Sequence, residues 1–370
     1  MNQLVIDPMG IIRFGPLTTE RPKVVVAVPA RNEEERLPAC IRALNAQTGL
    51  KGCPASIVVM LNNCTDDSLA TLSGIKDQMR LPTWAVSIEL PGALANAGHA
   101  RKAAMDYAAS IMDRDGIILT TDADTIPDAD WVQNNLAEFD TGADAVAGFV
   151  TADPEELSRL PAPILERGAL EWEYQNIAAE IESWADPRPY DPWPRHNQNC
   201  GASAGITRRF YQRIGGLPPA PVGEDRALFE EVRKRDGHVR HSLAAHVVTS
   251  ARTQGRAFGG MADALRLRDD PNYPCDDILE TALQTLRRNK LRSKCRKLWL
   301  AGDFNRIAHL LGVYEHNARW NVEYFGEFWH DVEGLSLLLE RKPLTAASLT
   351  CELGKLQRLI NRLRRQRRTK

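Results

Sequence analysis

Apolar and polar positions along the first 150 residues follow two periods in turn. Residues 24–28, VVVAV, are an uninterrupted apolar run closed by Pro29, the pattern of a strand buried on both faces. Leu37, Ile41 and Leu44 then recur at helical spacing and predict a helix over 33–47. The pair repeats. SIVVMLNN precedes the helical TDDSLATLSGIKDQM, where Thr65, Asp66 and Asp67 supply N-cap chemistry. WAVSIEL precedes GHARKAAMDYAASIM, GIILTTD precedes PDADWVQNNLAEF, and ADAVAGFV is a fifth strand. Strand alternating with helix predicts an α/β fold, a parallel sheet with helices on both faces.

The alternation then stops. EWEYQNIAAEIESW reads as a helix, and DPRPYDPWPRHNQNC, rich in proline and aromatics, as an ordered loop. GASAGITRRFYQRIGG returns to a short strand and a helix. VGEDRALFEEVRKRDG is a helix with a glycine stop, and HVRHSLAAHVVTSAR is a last strand region. From about Gly260 the pattern is wholly helical. These shifts divide the chain into an N-terminal segment (1–22), a first α/β half (23–150), a second half (151–260) and a helical C-terminal extension with a basic tail (261–370).

Composition changes this picture little. The 370 residues are 43% hydrophobic and 26% charged, as in ordinary globular proteins. A net charge of -1 provides no global field toward nucleic acid. The charge is uneven, however. RRNKLRSKCRK from Arg287 and the closing RLINRLRRQRRTK are strongly basic. They read either as solvated helix faces, or as contacts for anionic lipid, an anionic acceptor or a second copy in a homo-oligomer. Seven cysteines without a C-x-x-C pair argue against a zinc ribbon or disulfide framework and suit the reducing cytoplasm. No apolar run approaches the roughly 20 residues needed to span a bilayer, which leaves peripheral membrane contact open.

Chemistry gathers where strands end. In a parallel α/β sheet, ligands bind outside the carboxyl ends of the strands. Asp122-Ala123-Asp124 follows the fourth strand, and alternation along an extended segment puts both carboxylates on one side, where they suit a divalent cation. Alternatively, Asp122 caps the next helix and Asp124 is merely solvated. The first strand ends VPARNEEERL, the second LNNCTDD, and a later helix opens GEDRAL. This ordered set resembles glycosyltransferase family 2, enzymes of the GT-A fold that use nucleotide-diphospho-sugars. The resemblance runs from roughly Val24 to Gly260.

The resemblance implies a GT-A (Rossmann-like), mostly parallel sheet flanked by helices. It also implies transfer of a sugar, a UDP-sugar first among donors, to an acceptor hydroxyl with Mn2+ or Mg2+. Pro29, Ala30, Arg31, Asn32 and Glu33 correspond to the segment that contacts base and ribose. Asn62 and Asn63 stand where the family usually has aspartates facing the base. Arg101 and Lys102 belong to a glycine-then-basic segment beside the nucleotide, or to a plain helix surface. Asp122, Ala123 and Asp124 match the D-x-D, with Asp124 on the metal and Asp122 on ribose or metal. GASAGI resembles the small-residue segment near sugar and acceptor. Glu224 and Asp225 match the E-D pair: Asp225 as general base of an inverting reaction, Glu224 orienting the acceptor. Arg252 and Arg256 are placed to clamp the diphosphate on a Gly-rich loop. His246 precedes the position where some relatives set a metal-binding histidine and reads as structural. His196, with Trp184, Tyr190 and Trp193, offers aromatic faces to a sugar or apolar acceptor.

Three other readings remain. A retaining glycosyltransferase shares the same donor half. A nucleotide-sugar nucleotidyltransferase would carry a Gly-rich loop after the first strand, where this chain has PARNEEERL. A non-catalytic scaffold would have lost Asp122, Asp124 and Asp225.

Overall fold

The structure, a computed structural model, describes residues 8–50, 52–255, 260–276, 278–313 and 322–368. It forms two compact units. The first comprises residues 8–158, 198–232 and 238–263; the second comprises 159–197, 233–237 and 264–368. Residues 159–197, grouped from the sequence with the second α/β half, therefore fall with the C-terminal helices.

The first unit is built on one nine-stranded sheet: β1 (Gly10–Phe14), β2 (Val24–Ala30), β3 (Ala55–Asn62), β4 (Thr83–Ile88), β5 (Ile117–Thr120), β6 (Thr125–Pro127), β7 (Ala145–Ala152), β8 (Ala204–Thr207) and β9 (Val239–Thr249). Their order is β1-β4-β3-β2-β5-β8-β7-β9-β6. The run β4-β3-β2-β5 is parallel, with Val24 opposite both Ala55 and Ile117. Its strands are mostly apolar because both faces are covered. Val24, Val26 and Val28 of β2 enter one core with Leu37, Ile41, Leu44 and Trp131. Val25 and Ala27, pointing the other way, enter a second core with Ala104, Met105, Phe210 and Phe229.

The α/β class holds, but the parallel register does not continue through the fifth strand. β7 is separated from β5 by β8, which runs antiparallel to both. β7 pairs in parallel with β9 instead. The chain leaves this unit after residue 158 and re-enters at 198, so a late segment occupies the place beside β5. Strand periodicity carries no information about direction. The N-terminal segment is also part of the sheet: β1 pairs antiparallel with β4 although Ile11 and Ile12 are exposed, as an edge strand permits.

Helices begin later than periodicity alone implies. Pro38 sits in the first turn of helix Leu37–Asn45, so residues 33–36 form a turn rather than its start. The second helix, Ser68–Gly74, stops at Gly74 and a 3-10 turn follows. Helix Ala97–Ile111 starts where the Asn96 side chain accepts the His99 N–H.

In the second unit, helices Ala162–Ala185, Ala282–Leu300 and Ala346–Arg368 share a cluster around Tyr174, Leu279, Leu353 and Leu356 or its margin. Phe304–Leu311 and Phe325–Leu335 pack around Phe328, Trp329 and Ile307. Helices dominate the extension, but it is not wholly helical: residues 268–276, 278–281 and 336–345 lie outside them and hold the isolated bridges Pro274–Thr345 and Glu280–Pro343.

Candidate active site

The D-x-D lies in a turn between β5 and β6, closed by the Thr125 N–H donating to the Asp122 carbonyl at 3.2 Å. An extended strand end was expected; the short β6 that forces the turn carries no periodic signal in three residues. Ala123 is packed in the core, which turns the flanking carboxylates the other way.

Two buried or half-buried arginines hold those carboxylates. Arg101, on helix Ala97–Ile111, donates through Nη2 to Asp122 Oδ1 at 2.6 Å and through Nε to Glu224 Oε1 at 3.0 Å. Its Nη1 donates to Thr120 Oγ1 at 2.9 Å and to the Gly201 carbonyl at 3.0 Å. Burial opposes the guanidinium charge, but Asp122 and Glu224 outweigh it and raise the Arg101 pKa. The fork geometry is what lets one side chain meet four groups. Gly201 is required here by proximity: a Cβ would stand 2.5 Å from the Arg101 guanidinium carbon.

Arg252 serves the other carboxylate. It pairs with Asp124 Oδ2 at 3.0 Å and forms a bidentate contact with Glu33. Asp124 is nevertheless pushed up to about 6, chiefly by burial, then by Asp122, with Arg252 opposing and Glu33 adding to the rise.

Asp225 stands at the start of helix Glu224–Lys234. Its Oδ2 accepts the Gly201 N–H at 2.9 Å and its Oδ1 the Arg226 N–H at 2.7 Å. Gly201 therefore touches both halves of the site, its carbonyl on Arg101 and its N–H on Asp225.

Several expected residues stand elsewhere. Glu224 does not reach outward to an acceptor: it is buried and bound to Arg101, because a buried carboxylate needs a cation. Lys102 leaves Arg101 and pairs with Asp106 at 3.0 Å, one residue being about 100° of helix turn. Asn63 spends its carboxamide on Leu90, donating to the carbonyl at 3.1 Å and accepting the N–H at 3.0 Å. Asn62 is buried and its Oδ1 has no hydrogen-bond partner among the described residues. Asn32, at φ 55°, accepts the Thr65 N–H at 2.8 Å, and Arg31 donates to the Ala95 carbonyl at 2.8 Å. Ala30 is buried in β2 beside half-buried Pro29. Arg256 lies outside the described residues. His196 is buried in the second unit, where Arg367 covers the Trp184 ring at 4.8 Å.

His246 is occupied at both ring nitrogens, by Asp128 at 2.8 Å and Thr151 at 2.8 Å. Replacing it with glutamine is expected to cost about 1 kcal/mol of stability, which a thermal melt checks.

One residue escaped the sequence reading. Glu156 accepts from Ser250 Oγ and the Ala251 N–H, both at 2.7 Å, and pairs with Arg36 at 2.8 Å. Burial alone would raise its pKa, but these bonds hold it below the ordinary value. Glu156 thereby fixes the backbone just before Arg252. The sequence marks only the cap of its short helix, Asp153 with Pro154.

Residues 25–203 match the model of glycosyl transferase family 2, a span that contains Glu33, Arg101, Asp122, Asp124 and Gly201 and ends before Glu224. No curated protein matches the chain in sequence. Similar solved structures include the mannosyltransferase of Pyrobaculum calidifontis in complex with GDP-Man and Mn2+, at 20% identity and TM-score 0.44. That likeness covers 75% of this chain and 65% of the other, just under two thirds of its length. S. aureus TarS 1–349 in complex with UDP-GlcNAc is similar at 15% identity and TM-score 0.45, over 78% of this chain and 80% of that one. Glucosyl-3-phosphoglycerate synthase from Mycobacterium tuberculosis, in complex with Mn2+, UDP-glucose and phosphoglyceric acid, is similar at 19% identity and TM-score 0.38, over 67% and 78%.

Proposed function

Starting from a glycosyl transferase family 2 segment at residues 25–203, we infer that the protein moves a sugar from a nucleoside diphospho-sugar to an acceptor hydroxyl, with inversion at C1 and Asp225 as general base. The observation that carries this reading is the coupling of the D-x-D turn to Asp225: Arg101 binds Asp122, Glu224 and the Gly201 carbonyl, while the Gly201 N–H binds Asp225.

The half-buried Asp225 carboxylate keeps lone pairs beyond its two backbone bonds. It takes the proton of the acceptor hydroxyl as that oxygen bonds to C1 and the C1–O bond to the nucleoside diphosphate breaks. The Gly201 and Arg226 N–H groups fix the carboxylate in place for this transfer. Arg101 holds Asp122 in place, and Arg252 is the cation paired with Asp124 and placed to meet the diphosphate.

The residues fit a divalent cation. Asp122 and Asp124 are hard oxygen donors on one turn, the donor type that Mg2+ and Mn2+ favour. Among the described residues no three such side chains form a metal cage; two carboxylates with substrate phosphates and water are the ordinary arrangement for Mg2+. When bound, the cation supplies charge neutralisation of the leaving diphosphate.

The test is nucleoside-diphosphate release from a panel of UDP-, GDP- and dTDP-sugars, UDP-sugars first, with Mn2+ and with chelator. Metal-dependent release from one donor supports the reading. Absence of both release and donor-induced thermal stabilisation across the panel defeats it. Asp124→Ala is expected to weaken metal-dependent donor binding by about 100-fold or more, measured by calorimetry with and without Mn2+. Because burial disfavours the Asp124 charge, the melting temperature should not fall. Unchanged metal dependence would move the cation elsewhere.

A further inference from the structure

Helix Ala282–Leu300 carries seven basic side chains and no acidic one. The fold sorts them onto two faces. Arg288 meets Glu280 and Glu333, Arg292 meets Glu182 and Asp186, and Arg296 meets Asp186. Each inward guanidinium is thus matched by carboxylates from the same unit. Arg287, Lys290, Lys294 and Lys297 are exposed, and none forms an ion pair among the described residues.

At about 100° and 1.5 Å per residue these four lie within a sector of about 80°, along about 15 Å of the helix. Leu283 continues the same line one turn earlier and is 73% exposed; Leu300, at the far end of the helix, is 80% exposed. Like charges three, four and seven residues apart repel one another and oppose helix formation. Solvated helix faces ordinarily interleave acids that relieve such repulsion, and this face has none. The inward face shows that acids are supplied where the fold itself needs them.

We propose that this outward face docks on an anionic bilayer surface, with the four cations among lipid headgroups and Leu283 in the interfacial layer. The row is straight, open and tipped by exposed Leu283, which suits a flat surface with an apolar layer beneath its charge. No helix among the described residues is long and apolar enough to cross a membrane, so the contact is peripheral. The inference does not depend on the sugar-transfer reading.

The experiment is co-sedimentation of the full chain with phosphatidylcholine vesicles with and without phosphatidylserine, at low and high salt. Each cation near such a surface strengthens partitioning about fivefold. The variant combining Arg287→Gln, Lys290→Gln, Lys294→Gln and Lys297→Gln should therefore bind several hundred-fold more weakly, by roughly that same factor per charge. It should melt no lower than the parent, because the four side chains form no ion pair among the described residues. Leu283→Ser should weaken binding while leaving its salt dependence unchanged. Equal binding to vesicles without phosphatidylserine overturns the proposal, as does a quadruple variant that binds like the parent. Capture by soluble polyphosphate without vesicle binding overturns it too and assigns the face to a soluble polyanion.

Discussion

Asp225→Asn is expected to lower sugar transfer by roughly 10²–10⁴-fold, the usual worth of a positioned general base, while donor binding survives. The physical basis is narrow. Asparagine has the shape of aspartate and keeps one oxygen to accept either the Gly201 or the Arg226 N–H, which now meet Asp225 at 2.9 and 2.7 Å. It cannot accept a proton from a hydroxyl at neutral pH. The donor groups inferred above, Asp122, Asp124 and Arg252, are untouched. The effect should therefore fall on kcat with little change in the KM for donor. Transfer that persists near the parental rate would remove Asp225 from the base role. Loss of donor binding in the same variant would mean that Asp225 holds the site together rather than moving a proton.

The second large effect is on folding as well as activity. Arg101→Met should cost about 3–5 kcal/mol, the range for breaking a buried ion pair from one side. It strands Glu224 and Asp122 without a cation and leaves the Thr120 hydroxyl and the Gly201 carbonyl without their donor. The two carboxylates will not share the loss equally. The Asp122 side chain is 33% exposed and keeps water, whereas that of Glu224 is 8% exposed, so most of the cost comes from Glu224. A fall in melting temperature on the order of 10 °C follows. Arg101→Lys should recover part of the stability but little activity, because an ammonium group reaches fewer of the four acceptors and lacks the fork. A methionine variant that melts with the parent would show that these carboxylates are held by something other than Arg101.

Arg101 also illustrates where sequence reading loses its grip. Read along the chain, Arg101 and Lys102 are neighbours of one type in one helix. In the fold Arg101 enters the site and Lys102 meets Asp106. Asn62 and Asn63 likewise read alike along the chain, yet one is buried and the other fastens Leu90. Glu224 is adjacent to Asp225 and of the same charge, yet it serves Arg101. Long-range partners decide the roles of Arg101 and Asn63: Asp122 and Glu224 lie 21 and 123 residues from Arg101, and Leu90 lies 27 from Asn63.

Local pattern was sufficient for the rest. The alternation of Val24–Val28 residues between two cores, the helical spacing of Leu37, Ile41 and Leu44, and the D-x-D following a buried strand are all properties of short segments. Backbone sterics and burial act over a few residues, so element type and the grouping of carboxylates at a strand end can be read from the chain. Strand direction at β8, the turn that β6 imposes on Asp122 and Asp124, the role of Glu156 and the matching of Arg288, Arg292 and Arg296 by acids belong to long-range packing. A buried charge takes whichever partner the fold brings within reach, and that choice exists only once distant segments have met.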